Sequence, residues 1–201
     1  MTARLKGRTL VAGLLAAAAA LLPTSAVWAE ERLAAGTKDL GLGGAISISH
    51  DTRDDLDTLT GLELLPHLGY VVTDARGPDW LRGNLELLLE PTLTHLRDEA
   101  HSATTVGASV LARWIFFGTG RLRPYLEVGA GALIGETDLR QTDCEVNFLL
   151  QAGPGLLVFL SDTTAITVAY RLQHISNAGA CSFNVGINSS ALYLGVSYLF
   201  R

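Results

Sequence analysis

The sequence predicts an all-β chain: an eight-stranded antiparallel transmembrane β-barrel of a bacterial outer membrane. Three observations carry this expectation. The chain opens like an exported protein, its apolar residues are spread over many short alternating segments, and the joins between those segments alternate in length. Arg4, Lys6 and Arg8 precede the charge-free run Leu10 to Leu22, and Val27-Trp28-Ala29 supplies small residues for cleavage before Glu30. Residues 1–29 are therefore expected to be a signal peptide and 30–201 the barrel domain. Although 48% of the residues are hydrophobic, the longest run, Val146 to Leu160, is broken by Gln151 and Gly153-Pro154-Gly155. No spanning helix is predicted.

Eight segments follow in order: Leu40–Ser49, Gly61–Val71, Trp80–Glu90, Thr104–Phe116, Arg123–Leu133, Asn147–Phe159, Thr163–Ile175 and Ser189–Phe200. In the third, Leu81, Leu85, Leu87 and Leu89 alternate with Arg82, Asn84, Glu86 and Glu90. In the fourth, Val106, Ala108, Val110, Ala112, Trp114 and Phe116 alternate with Gly107, Ser109, Leu111, Arg113 and Ile115. One face suits lipid and the other a polar lumen. Arg113, Glu86, Glu127 and Arg171, all of lumen parity, are expected to form an internal charge network.

The joins near 72–79, 117–122 and 160–162 are short, and those near 50–60, 91–103, 134–146 and 176–188 are longer and more polar. With both termini on the periplasmic side, the long joins become external loops. Tyr70, Trp80, Trp114, Phe116, Tyr125, Phe159, Tyr198 and Phe200 then lie near the periplasmic strand ends, where an aromatic girdle belongs. Eight strands leave an interior that side chains nearly fill, which argues against a diffusion pore.

The seventh segment carries the chemistry. Ile166, Val168, Tyr170 and Leu172 form its apolar face, and His174 and Ser176 continue the same parity. A base and a candidate nucleophile thus share one face, directed outward at the outer-leaflet rim. In the eighth segment Leu192, Leu194, Val196, Tyr198 and Phe200 share parity with Ser190 and Asn188. A hairpin turning about Cys181 brings Asn188 opposite His174 on that face.

The stretch Arg171-Leu172-Gln173-His174-Ile175-Ser176-Asn177-Ala178-Gly179, then Asn184-Val185-Gly186-Ile187-Asn188 and Tyr193-Leu194-Gly195-Val196-Ser197-Tyr198, resembles the signature of the PagL-type lipid A 3-O-deacylases. These are outer-membrane acyl hydrolases built as eight-stranded barrels, and the close resemblance covers about the last 35 residues. It implies that His174 is the general base and Ser176 the nucleophile in removing the ester-linked 3-hydroxyacyl chain from position 3 of lipid A. A glutamate on the next strand completes the family's triad; this chain has Asn188 there. An amide can orient the base, as in Cys-His-Asn proteases, yet it stabilises an imidazolium less well than a carboxylate. Glu136, Asp143 and Glu145 are the acids of the neighbouring loop that could assist, and Asn177 and Asn184 are the oxyanion-stabilising candidates.

After residue 29 the chain keeps 12 Lys+Arg against 20 Asp+Glu, a formal charge of −8. Nucleic acid is an unsuitable partner; lipid A or lipopolysaccharide is the expected substrate, in the outer membrane, and monomer and homodimer both stay open. Ser/His ester hydrolysis needs no cofactor. The acidic run Asp51-Thr52-Arg53-Asp54-Asp55-Leu56-Asp57 lacks the glycine and terminal glutamate of an EF-hand, so no metal is assigned. His50, His67, His95 and His101 have no partner at useful spacing and are taken as loop or lumen residues. Cys144 and Cys181, in neighbouring external loops of an exported chain, are expected to form a disulfide. The competing reading is a non-catalytic structural or adhesive barrel of the OmpA type, with His174 and Ser176 as rim residues.

Overall fold

The computed structural model describes residues 33–50, 57–118, 120–135 and 139–201. The expected leader over 1–29 and all but the last residue of the acidic run Asp51–Asp57 lie outside these described residues. The strands are β1 (Lys38–His50), β2 (Thr60–Val71), β3 (Gly83–Arg97), β4 (Ser102–Phe116), β5 (Leu122–Ile134), β6 (Val146–Phe159), β7 (Thr164–Ser176) and β8 (Ile187–Phe200). Each pairs antiparallel with its sequence neighbour, and β8 closes on β1. Closure leaves no strand edge, which is what permits a sheet to cross lipid.

Alternation decides which side each residue faces. Leu192, Ile46 and Leu62 are 67%, 64% and 65% exposed on the outer wall, whereas Arg113 and Arg171 are fully buried inside. Arg113 meets Glu86 and Glu127 at 3.1 Å each, and Arg171 meets Glu127 at 2.7 Å and Glu90 at 2.8 Å. Glu127 thus bridges the two guanidinium groups, as the lumen parity predicts. Arg113 also lies over the Tyr125 ring and Arg171 over Tyr193. The tyrosine rings cross to strands that carry glycine: a Cβ at Gly155 would fall 2.1 Å from Tyr125 Cζ, and one at Gly43 2.2 Å from the Tyr193 hydroxyl oxygen. At the centre of this filled interior each arginine is paired with two carboxylates.

Three expectations are corrected. The third strand begins at Gly83 rather than Trp80, because Asp79–Leu81 form a 3-10 helix, so the join from β2 covers 72–82 and is not short. The third strand does not stop near Glu90 but runs to Arg97, so the join to β4 is the four-residue turn 98–101 rather than a long loop over 91–103. Pro91, just past Glu90, lacks a ladder donor. The register, Leu68↔Leu89 and Leu64↔Leu93, sets it opposite Pro66, so two residues without N–H groups face each other and the ladder resumes beyond them. Asp98 closes the turn by accepting the N–H groups of Ala100 and His101. The girdle is also smaller than expected: Tyr125 and Phe159 share parity with the lumen residues and are buried, leaving Tyr70, Trp80, Trp114, Phe116, Tyr198 and Phe200 towards that end outside.

Candidate active site

His174 and Ser176 end β7 with their side chains on the outer face, each half-buried. Register places His174 directly opposite Asn188 of β8, and His174 Nδ1 lies 2.8 Å from Asn188 Oδ1. A carbonyl oxygen only accepts, so Nδ1 carries the proton and Nε2 presents its lone pair. The ring therefore turns its unprotonated nitrogen away from Asn188. Gly186, at φ +78°, passes close to both residues: a Cβ there would lie 3.2 Å from His174 Cε1 and 3.8 Å from Ser176 Cβ. A left-handed backbone without a side chain is what lets the loop approach the pair.

The two loops above the site are tied together. Cys144 and Cys181 are joined in a disulfide with Cα atoms 5.8 Å apart. Val185 N–H donates to Gln141 O at 3.0 Å, and Phe183 N–H donates to the Asp143 carboxylate at 3.1 Å. Asn177 is fully buried; its side chain donates to Phe183 O at 2.9 Å and accepts from Gly179 N–H at 2.9 Å. Its own N–H donates to Asn184 Oδ1 at 3.2 Å. That turn passes through Ala178 and Gly179, both at positive φ. Asn177 thus shapes the loop from within, while Asn184 is exposed at the surface.

Of the three loop acids, Asp143 is engaged with Phe183, Glu145 is exposed, and Glu136 lies outside the described residues. His174 and Asn188 open onto a groove of about 410 Å³ on the outer wall, lined also by His50, Leu172, Leu150, Ala152 and Val128. The groove thus has a polar end at His174, Asn188 and His50 and an apolar stretch at Leu172, Leu150, Ala152 and Val128.

The sequence reading missed His50. It is the last residue of β1, on the outer face, and stands opposite Asn188. Its Nε2 lies 2.8 Å from Ser190 Oγ, which in turn lies 2.5 Å from the Tyr170 hydroxyl oxygen. Closure of β1 on β8 makes this contact, so spacing along the chain could not reveal it. His95 likewise faces outward, 2.9 Å from Thr104 Oγ1, and His67 lies in the lumen.

A family model described as Lipid A 3-O-deacylase (PagL) matches residues 66–197, a span that includes His174, Ser176 and Asn188. The chain belongs to the PagL lipid A 3-O-deacylase family. Among solved structures, the outer membrane enzyme PagL is similar at a TM-score of 0.60 and 18% identity, covering 77% of this chain and 97% of that one. Neisserial surface protein A, NspA, is similar at a TM-score of 0.58 and 17% identity, covering 82% and 99%. At such identities the likeness is one of fold, that of a small outer-membrane barrel. A search of curated protein sequences finds no match. Family and fold together make this PagL-family member an outer-membrane barrel of a lipid A deacylase family.

Proposed function

We propose that the chain hydrolyses the ester at position 3 of lipid A with Ser176 as nucleophile and His174 as general base, oriented by Asn188. The observation that carries the reading is the hydrogen bond from His174 Nδ1 to Asn188 Oδ1, made on the lipid side of the wall two residues from Ser176. Ser176 Oγ attacks the acyl carbonyl as His174 Nε2 takes its proton. The tetrahedral intermediate collapses with return of that proton to the departing sugar oxygen, leaving an acyl-enzyme. Water, deprotonated by the same nitrogen, then releases the 3-hydroxy fatty acid. Asn184 and backbone N–H groups of the loop stabilise the oxyanion, and buried Asn177 holds that loop in shape.

Replacing the carboxylate of a Ser-His-Asp enzyme by an amide costs roughly 10⁴ in rate where the amide presents the wrong group to the ring. Here the amide oxygen faces Nδ1, so the tautomer is correct and the loss is confined to weaker stabilisation of the imidazolium. The outward site suits a substrate that diffuses laterally in the outer leaflet. Residues 1–29 act as the cleaved export leader. All three side chains come from one chain, so a homodimer is not required for chemistry.

Mass spectrometry of lipid A from cells with and without the protein tests this reading. One 3-hydroxyacyl chain should be missing when the protein is present and reappear with Ser176→Ala. Identical lipid A in all three strains, with the barrel folded in the membrane, would favour a structural OmpA-type role.

A further inference from the structure

Beside the hydrolytic pair lies a second polar group that no step of the reaction uses. Asn188 is flanked on β7 by His174 and on β1 by His50, so the three residues form one row across the outer wall. One rung further towards the membrane, Ser190 connects His50 at 2.8 Å to Tyr170 at 2.5 Å. His50 and His174 line the same groove. Polar side chains on a lipid-facing wall are unfavourable unless they bind one another or a ligand.

The order of donation in this chain follows from acidity. A phenol, with a reference pKa of about 10, is a stronger donor and weaker acceptor than an alkyl hydroxyl. Tyr170 therefore donates to Ser190, whose own proton goes to His50 Nε2. With Nε2 accepting from Ser190, the ring hydrogen lies on Nδ1, and His50 lines the groove. The two imidazoles of the row thus have opposite roles: His174 presents a lone pair, His50 a donor.

We propose that His50 is a substrate-binding residue whose Nδ1–H donates a hydrogen bond to a head-group oxygen of the glycolipid beside the scissile ester, with Ser190 and Tyr170 as positioning residues. This rests on the lipid A hydrolase reading. The ligand chemistry is an anionic or neutral oxygen acceptor, from a phosphate or from the sugar. A site built to donate discriminates against lipids that place no acceptor there.

The test uses the purified full chain in detergent micelles with lipid A as substrate. His50→Ala should raise KM about tenfold, the loss expected for one hydrogen bond, with kcat changed less than about twofold. His50→Gln, which keeps a donor, should recover most of the loss. Tyr170→Phe should raise KM about threefold, and adding it to His50→Ala should have no further effect because the two act as one unit. If dephosphorylated lipid A abolishes the His50 effect, the acceptor is phosphate; if the effect persists, it is a sugar oxygen, and both results support the site. An unchanged KM in His50→Ala, or a fall in kcat alone, overturns the proposal. Retention of lipid A by the Ser176→Ala chain in native mass spectrometry separates the two readings. Weaker retention on adding His50→Ala upholds the binding role even if the wild type hydrolyses nothing, and equal retention overturns it.

Discussion

The His67–Ser197 cluster and the His174–Ser176 pair both contain a histidine and a serine, and they differ in which side of the wall they occupy. Inside, His67 Nε2 lies 3.2 Å from Asp39 Oδ2 and 3.3 Å from Ser197 Oγ, while Ser197 Oγ donates to the same carboxylate oxygen at 3.1 Å. These are the residue types of a hydrolytic triad, yet both oxygens converge on one nitrogen in a closed lumen. No nitrogen is left between acid and nucleophile to carry the proton. Outside, His174 uses Nδ1 for Asn188, which in the proposed mechanism keeps Nε2 for the proton of Ser176. Sidedness and the division of labour between ring nitrogens separate the proposed reactive cluster from the one inside.

The largest effect should come from exchanging the two serines. Ser176→Ala and His174→Ala are expected to lower release of 3-hydroxy fatty acid at least about 10³-fold, as removal of a nucleophile or base does. Ser197→Ala should leave the rate within about twofold. Heat-modifiable migration on gels checks that each variant is a folded barrel, and an inactive, folded Ser197→Ala would reverse the comparison.

Stability should respond the other way. Arg171→Leu strands Glu90 and Glu127 in the lumen without one of their counter-ions, and breaking such a pair costs about 3–5 kcal/mol. His174→Leu, on the outer wall, should change stability by less than about 1 kcal/mol, the usual scale for exposed positions. Urea unfolding in micelles reads both. Equal losses would mean that the outer cluster is part of the scaffold.

Most of this division is legible in sequence because a period of two fixes sidedness. The parity of Glu86, Arg113, Glu127 and Arg171 foretold the internal network, and that of His174, Ser176 and Asn188 foretold the outward row. Parity failed where a stronger local signal was followed instead. The third segment is ended at Glu90 in the sequence reading, although Thr92 and Thr94 continue inward and Leu93 and His95 outward beyond it. Tyr125 and Phe159 were placed in the girdle for being aromatic, against the parity of Arg123 and Glu127. His50 could not be found this way at all, since its neighbours arrive only when the first strand meets the last.

Asn188 gives a smaller and sharper contrast. Asn188→Leu removes the group that orients the imidazole and should lower the rate about tenfold or more. Asn188→Glu should preserve or raise it, because a carboxylate stabilises the imidazolium better once paired with His174. A wild-type rate in Asn188→Leu would move the orienting role to another group. The least effect is expected from the loop tie: Cys144→Ser with Cys181→Ser should speed proteolytic cleavage of the external loops and slow hydrolysis a few-fold, since Val185, Phe183 and Asn177 keep their hydrogen bonds. Unchanged cleavage would show that those bonds suffice alone.

The most direct measurement is to treat the folded barrel with a serine-directed fluorophosphonate and map the adduct by peptide mass spectrometry. Ser176 should carry the label, and His174→Ala should abolish it, because the proposed mechanism has His174 activate that hydroxyl; Ser190, which lies beside His50, should stay unlabelled. Label on Ser190 or Ser197 instead, or hydrolysis of lipid A that persists in Ser176→Ala, would contradict the account.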